Sequence, residues 1–513
     1  MVKKCKELLV RNWLFLLTDL MVFVIMVLYG VHFCNIKGAD SVFSKTILGA
    51  TIFLVIMVQI ATIIAKRIKK SMSMTFFVFS VSFGIVLSIL LPPYTIPDEK
   101  VHFCTAYEIS NRVLGIDVEE NGIWMREDDA LYEVKPYGNK AEDYELIYAK
   151  ANEKIGKEDL VFTTNQTVDT QHYQYYVPAV GITIARILKM GTIPMLYLGR
   201  ILNLLFYAIF FSFAIKLCPI GKEVFFVVGL FPMALQQAAS FSYDAFIIAL
   251  AAVIVALVLF LLEQPYGKKY NVAFSVLIFL CILFVPVKHY AYCFVSFFPI
   301  LLLMRDNNNK KIKWIIFVIF GVFLLMLFGE KLMAILSNTG NSAPNVLEYC
   351  GEEAYSVSYL IKNPGKIMSL IFHTARIYGA WYLDTAIVDY LGWLEYPAQR
   401  ATLYMTFLAL IIATIQSDDE KKIFSRKQKI CIGIIIIFSV SFIFAGMLLG
   451  WTPVSSNCIQ GVQGRYFIAL FIPFLLMLKG NYFLKNSSLS SVPMWLMIMV
   501  DYISIQNVIF KLL

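Results

Sequence analysis

The sequence predicts an all-α integral membrane protein that crosses the bilayer many times, and three observations carry that prediction. Hydrophobic residues make up 59% of the 513 positions and charged residues 15%, against roughly 25% charged in a soluble domain. That much apolar surface has no core large enough to hide in and must face lipid. The apolar residues also come in runs of roughly 20, the length a helix needs to cross a hydrocarbon layer about 30 Å thick. Finally, the runs are rich in Ile, Val, Phe and Leu and lack period-two alternation, which selects helices over an outer-membrane barrel.

Charge placement threads the chain. The net charge of +9 is not a nucleic-acid footprint, because Lys and Arg sit in short clusters between apolar runs, as the positive-inside rule requires. Lys3, Lys4, Lys6 and Arg11 put the N-terminus in the cytoplasm. The run Trp13–Phe33 is too long for a signal peptide and has no small-residue cleavage site after it, so it reads as the first span. Further spans are expected near 47–65, 74–93, 194–217, 223–239, 243–263, 271–286, 289–304, 314–336, 396–416, 430–450, 465–484 and 491–511, about thirteen in all. This threading leaves Lys66–Lys70, Lys216/Lys222, Lys268/Lys269, Arg305–Lys313, Lys421–Lys429 and Lys479/Lys485 inside.

The polar segments fall outside. The longest, 94–176, holds about half of the 35 carboxylates. Its start, Asp98 to Gly115, places Val101, Ala106, Ile109 and Val113 at helical spacing and suits a helix lying on the membrane surface. Tyr175–Lys189 is too short to span and reads as a second interfacial helix; as a span it would invert every later loop. A second external segment, 337–395, contains an apolar stretch, Ile367–Tyr382, of interfacial or re-entrant type, and 451–464 is a short external loop. The organisation is thus two N-terminal spans in 1–73, a module over 74–484 and a C-terminal span in 485–513. No internal repeat is evident, which counts against a transporter built from inverted repeats. The nine cysteines lack metal-ligand spacing. Four of them, Cys34, Cys104, Cys350 and Cys458, fall at external segments, where a disulfide is open to them.

Ionisable residues at span ends are costly and therefore functional candidates. They gather on the external face: Asp98, Glu99 and His102 after the third span, Asp244 opening a later one, Lys288 and His289 at a turn, and Arg465 entering another span. Adjacent carboxylates at the edge of a low-dielectric region suit general-base catalysis or metal binding. With His102 one turn on, Asp98 and Glu99 could hold a divalent ion such as magnesium or manganese. Equally, Pro97-Asp98-Glu99 could be a helix cap, and Asp244 could cap the helix it opens. Lys288, His289 and Arg465 suit an anionic group such as a lipid phosphate, or snorkelling at the interface. Gly461 to Phe467, with Gln463 ahead of Arg465, forms a glycine-flanked turn that admits either a ligand or a tight bend. No phosphate-binding loop or hydrolase triad pattern appears.

Pro92-Pro93, Pro97-Asp98-Glu99 and His102-Phe103, with Phe231-Pro232-Met233 through Asp244, Leu391-Gly392-Trp393-Leu394, and Trp451-Thr452-Pro453 through Gly461–Phe467, resemble a bacterial family of multi-pass membrane proteins defined as a domain of unknown function (DUF2142). That family is similar to the GT-C superfamily of membrane glycosyltransferases, and Asp98-Glu99 with His102-Phe103 looks like the first-loop motif of protein O-mannosyltransferases. The resemblance spans roughly 74–484. It implies a GT-C-like helical bundle in the bacterial cytoplasmic membrane, working on the extracytoplasmic face. A sugar would pass from a polyprenyl-phosphate donor to a glycan or lipid acceptor, with inversion. Asp98 would be the base and Glu99 its partner. Lys288, His289 and Arg465 would bind the donor phosphate, and His102, Asp244 and Gln463 would support the site. The alternatives are a flippase of lipid-linked sugars and a non-catalytic partner in polysaccharide assembly.

Overall fold

The computed structural model describes residues 41–67, 72–119, 121–132, 141–151, 154–156, 159–168, 171–305, 310–336, 346–347, 349–415, 424–480 and 492–512, with isolated positions between 20 and 35. The expected first span at 13–33 lies outside the described residues apart from those isolated positions. Among the described residues, five helices are long and apolar enough to cross a membrane: Met72–Leu90, Thr192–Leu217, Asp244–Glu263, Arg426–Gly450 and Val492–Lys511.

We label the helices α1 (Val42–Arg67), α2 (Met72–Leu90), α3 (Glu99–Leu114), α4 (Tyr176–Ile187), α5 (Thr192–Leu217), α6 (Lys222–Gly229), α7 (Pro232–Ala238), α8 (Asp244–Glu263), α9 (Lys268–Phe284), α10 (Lys310–Leu336), α11 (Pro364–Ile387), α12 (Arg400–Thr414), α13 (Arg426–Gly450), α14 (Ile468–Leu478) and α15 (Val492–Lys511). α8 is apolar all round and 89% enclosed over its most apolar stretch, as expected of a helix at the centre of a bundle. It packs on α5, which packs on α2, which packs on α1; α12 packs on α15.

Two expected spans have a different local form. The 223–239 run is broken into α6 and α7, because Pro232 at the start of α7 has no N–H to continue the preceding helix. The 289–304 run is a 3-10 helix only from Cys293 to Met304, with Pro299 inside it. Lys288, His289 and Tyr290, just before it, all take left-handed conformations (φ 49°, 51° and 66°).

The polar segment that follows α2, expected to be external, folds as a cap with its own small core, built from Tyr94, Phe103, Tyr107, Tyr132, Tyr175 and neighbours. Ile123–Arg126 (β1) and Leu160–Thr163 (β2) pair antiparallel in it, Ile123 opposite Thr163 and Arg126 opposite Leu160. α3 does not lie on a surface as the sequence suggests. It is buried on nearly every side from His102 to Asn111, enclosed by α4, β1 and the turn before α4. Of the two expected surface helices, α4 has the exposed apolar ridge: Tyr176, Val180, Ile184 and Ile187 recur there at helical spacing. The apolar stretch 367–382 lies within α11. Cys104, Cys350 and Cys458 carry free thiols; Cys34 is outside the described residues.

Candidate functional site

The two carboxylates of the Asp98–Glu99 pair point to different places. Asp98 occupies the N-cap position of α3 in a left-handed conformation (φ 64°, ψ 5°), and its side chain caps nothing. This conformation turns Asp98 outward and Glu99 inward. Glu99 is fully buried, and the Arg200 Nε and Nη2 donate to its two oxygens at 2.7 and 2.6 Å. The backbone N–H groups of Tyr94 and Phe241 also donate to Glu99, at 2.9 and 3.2 Å. Arg200 further donates to the carbonyls of Ser88, Leu91 and Pro92. Every oxygen of Glu99 is therefore spent on holding the α2–α3 connection against α5. This corrects the expected catalytic role of Glu99: a saturated, enclosed ion pair has no lone pair to give a substrate.

The same fact removes the expected metal set. Among the described residues no three His, Cys, Asp or Glu side chains gather as metal ligands. Glu99 is turned away and neutralised by Arg200, and Asp98 meets a guanidinium. The Asp98, Glu99 and His102 arrangement does not fit a divalent ion.

Asp98 reaches across the chain to Arg465, whose Nη2 donates to Oδ2 at 2.7 Å. Arg465 is 6% exposed, and its Nε stands 3.2 Å from Asp244 Oδ2. That approach is an ion pair outside hydrogen-bond geometry, and Nη1 of Arg465 has no hydrogen-bond partner among the described residues. Asp244 Oδ1 lies 4.0 Å from Lys288 Nζ, and that ammonium sits 3.1 Å from the Tyr466 ring centroid. The result is an alternating chain of Asp98, Arg465, Asp244 and Lys288, gathered from four separate helix ends. Asp244 thus faces Arg465 and is not an N-cap.

The electrostatics follow from this chain. Burial pushes the Asp98 carboxyl up, but Arg465, His102 and Lys288 outweigh it and hold it below the ordinary carboxylate value. Its side chain is nonetheless 51% exposed, and only Oδ2 is engaged. Burial brings Lys288 down to about 8, with Asp244 opposing. His102 is buried, its Nδ1 is 2.6 Å from the Tyr175 hydroxyl, and burial lowers it to about 4; it is a neutral imidazole at pH 7.

Two spaces adjoin the chain. Lys288, His289, Tyr292 and Tyr466 line a cavity of about 420 Å³, whose far wall is Phe442 to Gly450 of α13. On the other side, Pro97, Gln236, Gln237, Trp381, Gln463 and Arg465 bound a crevice of about 10 Å³, the size of one water. Gln463 thus borders the crevice, and His289 forms part of the cavity wall, with no polar contact among the described residues.

The glycine-flanked turn serves the chain's own packing. A Cβ on Gly464 would stand 2.2 Å from the Tyr382 carbonyl and 2.5 Å from the Ala386 nitrogen, so α11 presses directly on it. Gln236 clamps Gly392, accepting from its N–H at 2.7 Å and donating to its carbonyl at 3.3 Å. Three residues, Arg200, Gln236 and Gln237, were therefore missed in the sequence. Arg200 had a signal, an arginine inside an apolar run. The Gln236–Gln237 pair within the 223–239 run had a weaker one.

The family described as predicted membrane protein (DUF2142) matches residues 81–475. The chain belongs to that family. The match runs from the middle of α2 to α14 and so takes in Asp98, Asp244, Lys288 and Arg465. Among curated proteins and solved structures, nothing matches this DUF2142 member.

Proposed function

We propose that this DUF2142 protein is a GT-C-like membrane glycosyltransferase with about thirteen spans. It moves a sugar from a polyprenyl-phosphate donor to a glycan or lipid acceptor on the extracytoplasmic face. The observation that carries the reading is Arg465: a buried guanidinium, ion-paired to Asp98 and Asp244, whose Nε and Nη1 lie outside hydrogen-bond geometry, between a half-exposed carboxylate and a lysine-lined cavity. Unpaired buried donors of this strength are costly, and an anionic oxygen is what would satisfy them.

In the proposed step, Asp98 Oδ1 receives the acceptor hydroxyl's proton. The acceptor oxygen forms its bond to the anomeric carbon as the carbon–oxygen bond to phosphate breaks, and polyprenyl phosphate leaves with the electron pair. Arg465 and Lys288 stabilise that departing charge. A carboxylate held below its usual pKa is a weak base, so Asp98 mainly orients the hydroxyl and takes the proton late. The orientation is supported by the helix ends away from the site: α5 ends at Lys216, α9 starts at Lys268–Lys269 and α13 at Arg426–Lys429, the cytoplasmic signature.

A flippase reading draws on one observation. Asp501 on α15 is 2% exposed with Oδ2 unpartnered, and ionisable groups inside spans mark transport pathways. Purified protein in nanodiscs with a polyprenyl-phosphate sugar separates the two. Release of free polyprenyl phosphate by the wild type and not by Asp98→Asn is expected. Movement of the intact lipid-linked sugar between leaflets, with no release, would give the protein to the flippase class.

A further inference from the structure

The cavity beside Lys288 has a feature that packing does not explain. Its far wall is one face of α13, on which Phe442, Gly446 and Gly450 recur at one-turn spacing. A Cβ built on Gly446 or on Gly450 meets no atom within 4 Å. Neither has the backbone conformation that demands glycine. The same test at Gly464, Gly199 and Gly229 finds atoms within 2.7 Å, the close-packing reason for a glycine in a helical bundle. Gly446 and Gly450 are exposed on α13 and line the cavity, so a larger residue at either would project into it.

Three further facts say what the volume suits. Its lining is apolar and aromatic apart from the end at Lys288, whose ammonium lies over Tyr466. Beside that end, next to Tyr466, the Arg465 guanidinium is nine-tenths buried, with Nε ion-paired to Asp244 and Nη1 without a hydrogen-bond partner. Lastly, α13 is only 28% enclosed over its most apolar stretch, so the helix that bears the glycines faces largely outward, where lipid would surround it.

We propose that Gly446 and Gly450 form the wall of a slot that admits, sideways from the bilayer, the apolar tail of a monophosphorylated lipid whose phosphate lies at Lys288 and Arg465. The inference deepens the transferase reading and rests on it for the choice of a polyprenyl tail. It assigns the two glycines as determinants of tail size.

The test is binding, measured on the full chain in nanodiscs with a fluorescent short-chain polyprenyl phosphate. Wild type should bind it, and an equal concentration of inorganic phosphate should not displace it. Gly446→Leu and Gly450→Leu should bind about tenfold more weakly or worse, with unfolding temperature unchanged, because their side chains enter open space. Gly446→Ala, which adds one methyl, should stay within about twofold of wild type. A prenyl phosphate with a photoreactive tail should label residues 442–450 in unmodified wild type, a result independent of any variant's folding. Leu variants that bind like wild type, labelling confined to other segments, displacement by inorganic phosphate, or no binding by wild type would each overturn the slot. Binding without transfer by wild type would sink the transferase reading and leave the slot. Normal binding and transfer by both Leu variants would sink the slot and leave the transferase.

Discussion

Replacing Glu99 by alanine should cost this protein its fold rather than its chemistry, and the size of that cost follows from the contacts. The substitution strips Arg200 of both oxygens it holds at 2.7 and 2.6 Å and orphans the N–H groups of Tyr94 and Phe241. Arg200 and Glu99 are both 0% exposed, so water cannot take over. Leaving one partner of a buried pair uncompensated costs about 3–5 kcal/mol, and each orphaned buried N–H adds about 1–3 kcal/mol. A domain stable by about 5–15 kcal/mol has little left after that. The assay is thermal unfolding and monodispersity of the protein in detergent, for Glu99→Ala, Arg200→Met and the double variant Glu99→Leu/Arg200→Met. Each single variant should unfold far below wild type, while the double, which removes both charges together, should recover much of the loss. A Glu99→Ala protein with wild-type unfolding but no transfer activity would refute this and return Glu99 to the reaction.

The pH profile should show the lysine. Lys288, ordinarily near 10.5, is brought to about 8; its charge is present below that value and lost above it, so activity should fall as pH rises through about 8. Stability should move the other way. Between about 8 and 10.5 the unfolded chain binds the proton and the folded one does not, so this group's contribution to stability grows with pH there. Lys288→Arg should abolish the alkaline fall in activity, measured by initial rates. Gly464→Ala should yield little folded protein, because its Cβ would sit 2.2 Å from the Tyr382 carbonyl; expression and size-exclusion profiles check it. His289→Gly should relax a left-handed residue (φ 51°), offsetting the entropy cost of glycine, about 0.5–1 kcal/mol, so stability should stay within about 1 kcal/mol of wild type. Retained transfer in that variant would make His289 cavity wall only, whereas its loss would restore the phosphate-binding role read from sequence.

The sequence made the site's address legible but not its wiring. Ionisable residues at span ends on one face led to Asp98, Asp244, Lys288 and Arg465, and these form one connected chain although Asp98 and Arg465 are 367 positions apart. Glu99 was misread because adjacency in sequence says nothing about direction. Only the left-handed turn at Asp98 separates the two carboxylates, and in the sequence an aspartate at a helix start reads as an ordinary extended N-cap. Arg200 was visible as an in-span arginine, yet at one position in a long apolar run it could as well have snorkelled to the basic end. The glycines of the Gly461–Phe467 turn carried both readings equally. The choice between ligand and packing depended on where α11 lies, which is a long-range fact.

Backbone strain and charge are arranged together around this chain. Asp98, Lys288, His289 and Tyr290 are all L-residues in left-handed conformations, each at a cost of roughly 1–2 kcal/mol. Such strain persists only when surrounding structure over-determines it. At Asp98 the determinant is the Glu99–Arg200 pair, which anchors the very next residue and leaves Asp98 no choice but to face Arg465. At Lys288 the aromatic rings of Tyr243 and Tyr466, at 5.3 and 3.1 Å, hold the ammonium where carboxylates alone do not, since Asp244 is 4.0 Å away. The fixed ion pair therefore does for the site what a metal would otherwise do: it sets the direction of an exposed carboxylate before any ligand arrives. On the proposed reading, losing Glu99 removes the fold that positions Asp98, whereas losing Asp98 leaves the fold, so the two losses should look alike in a cell and differ sharply in a thermal melt.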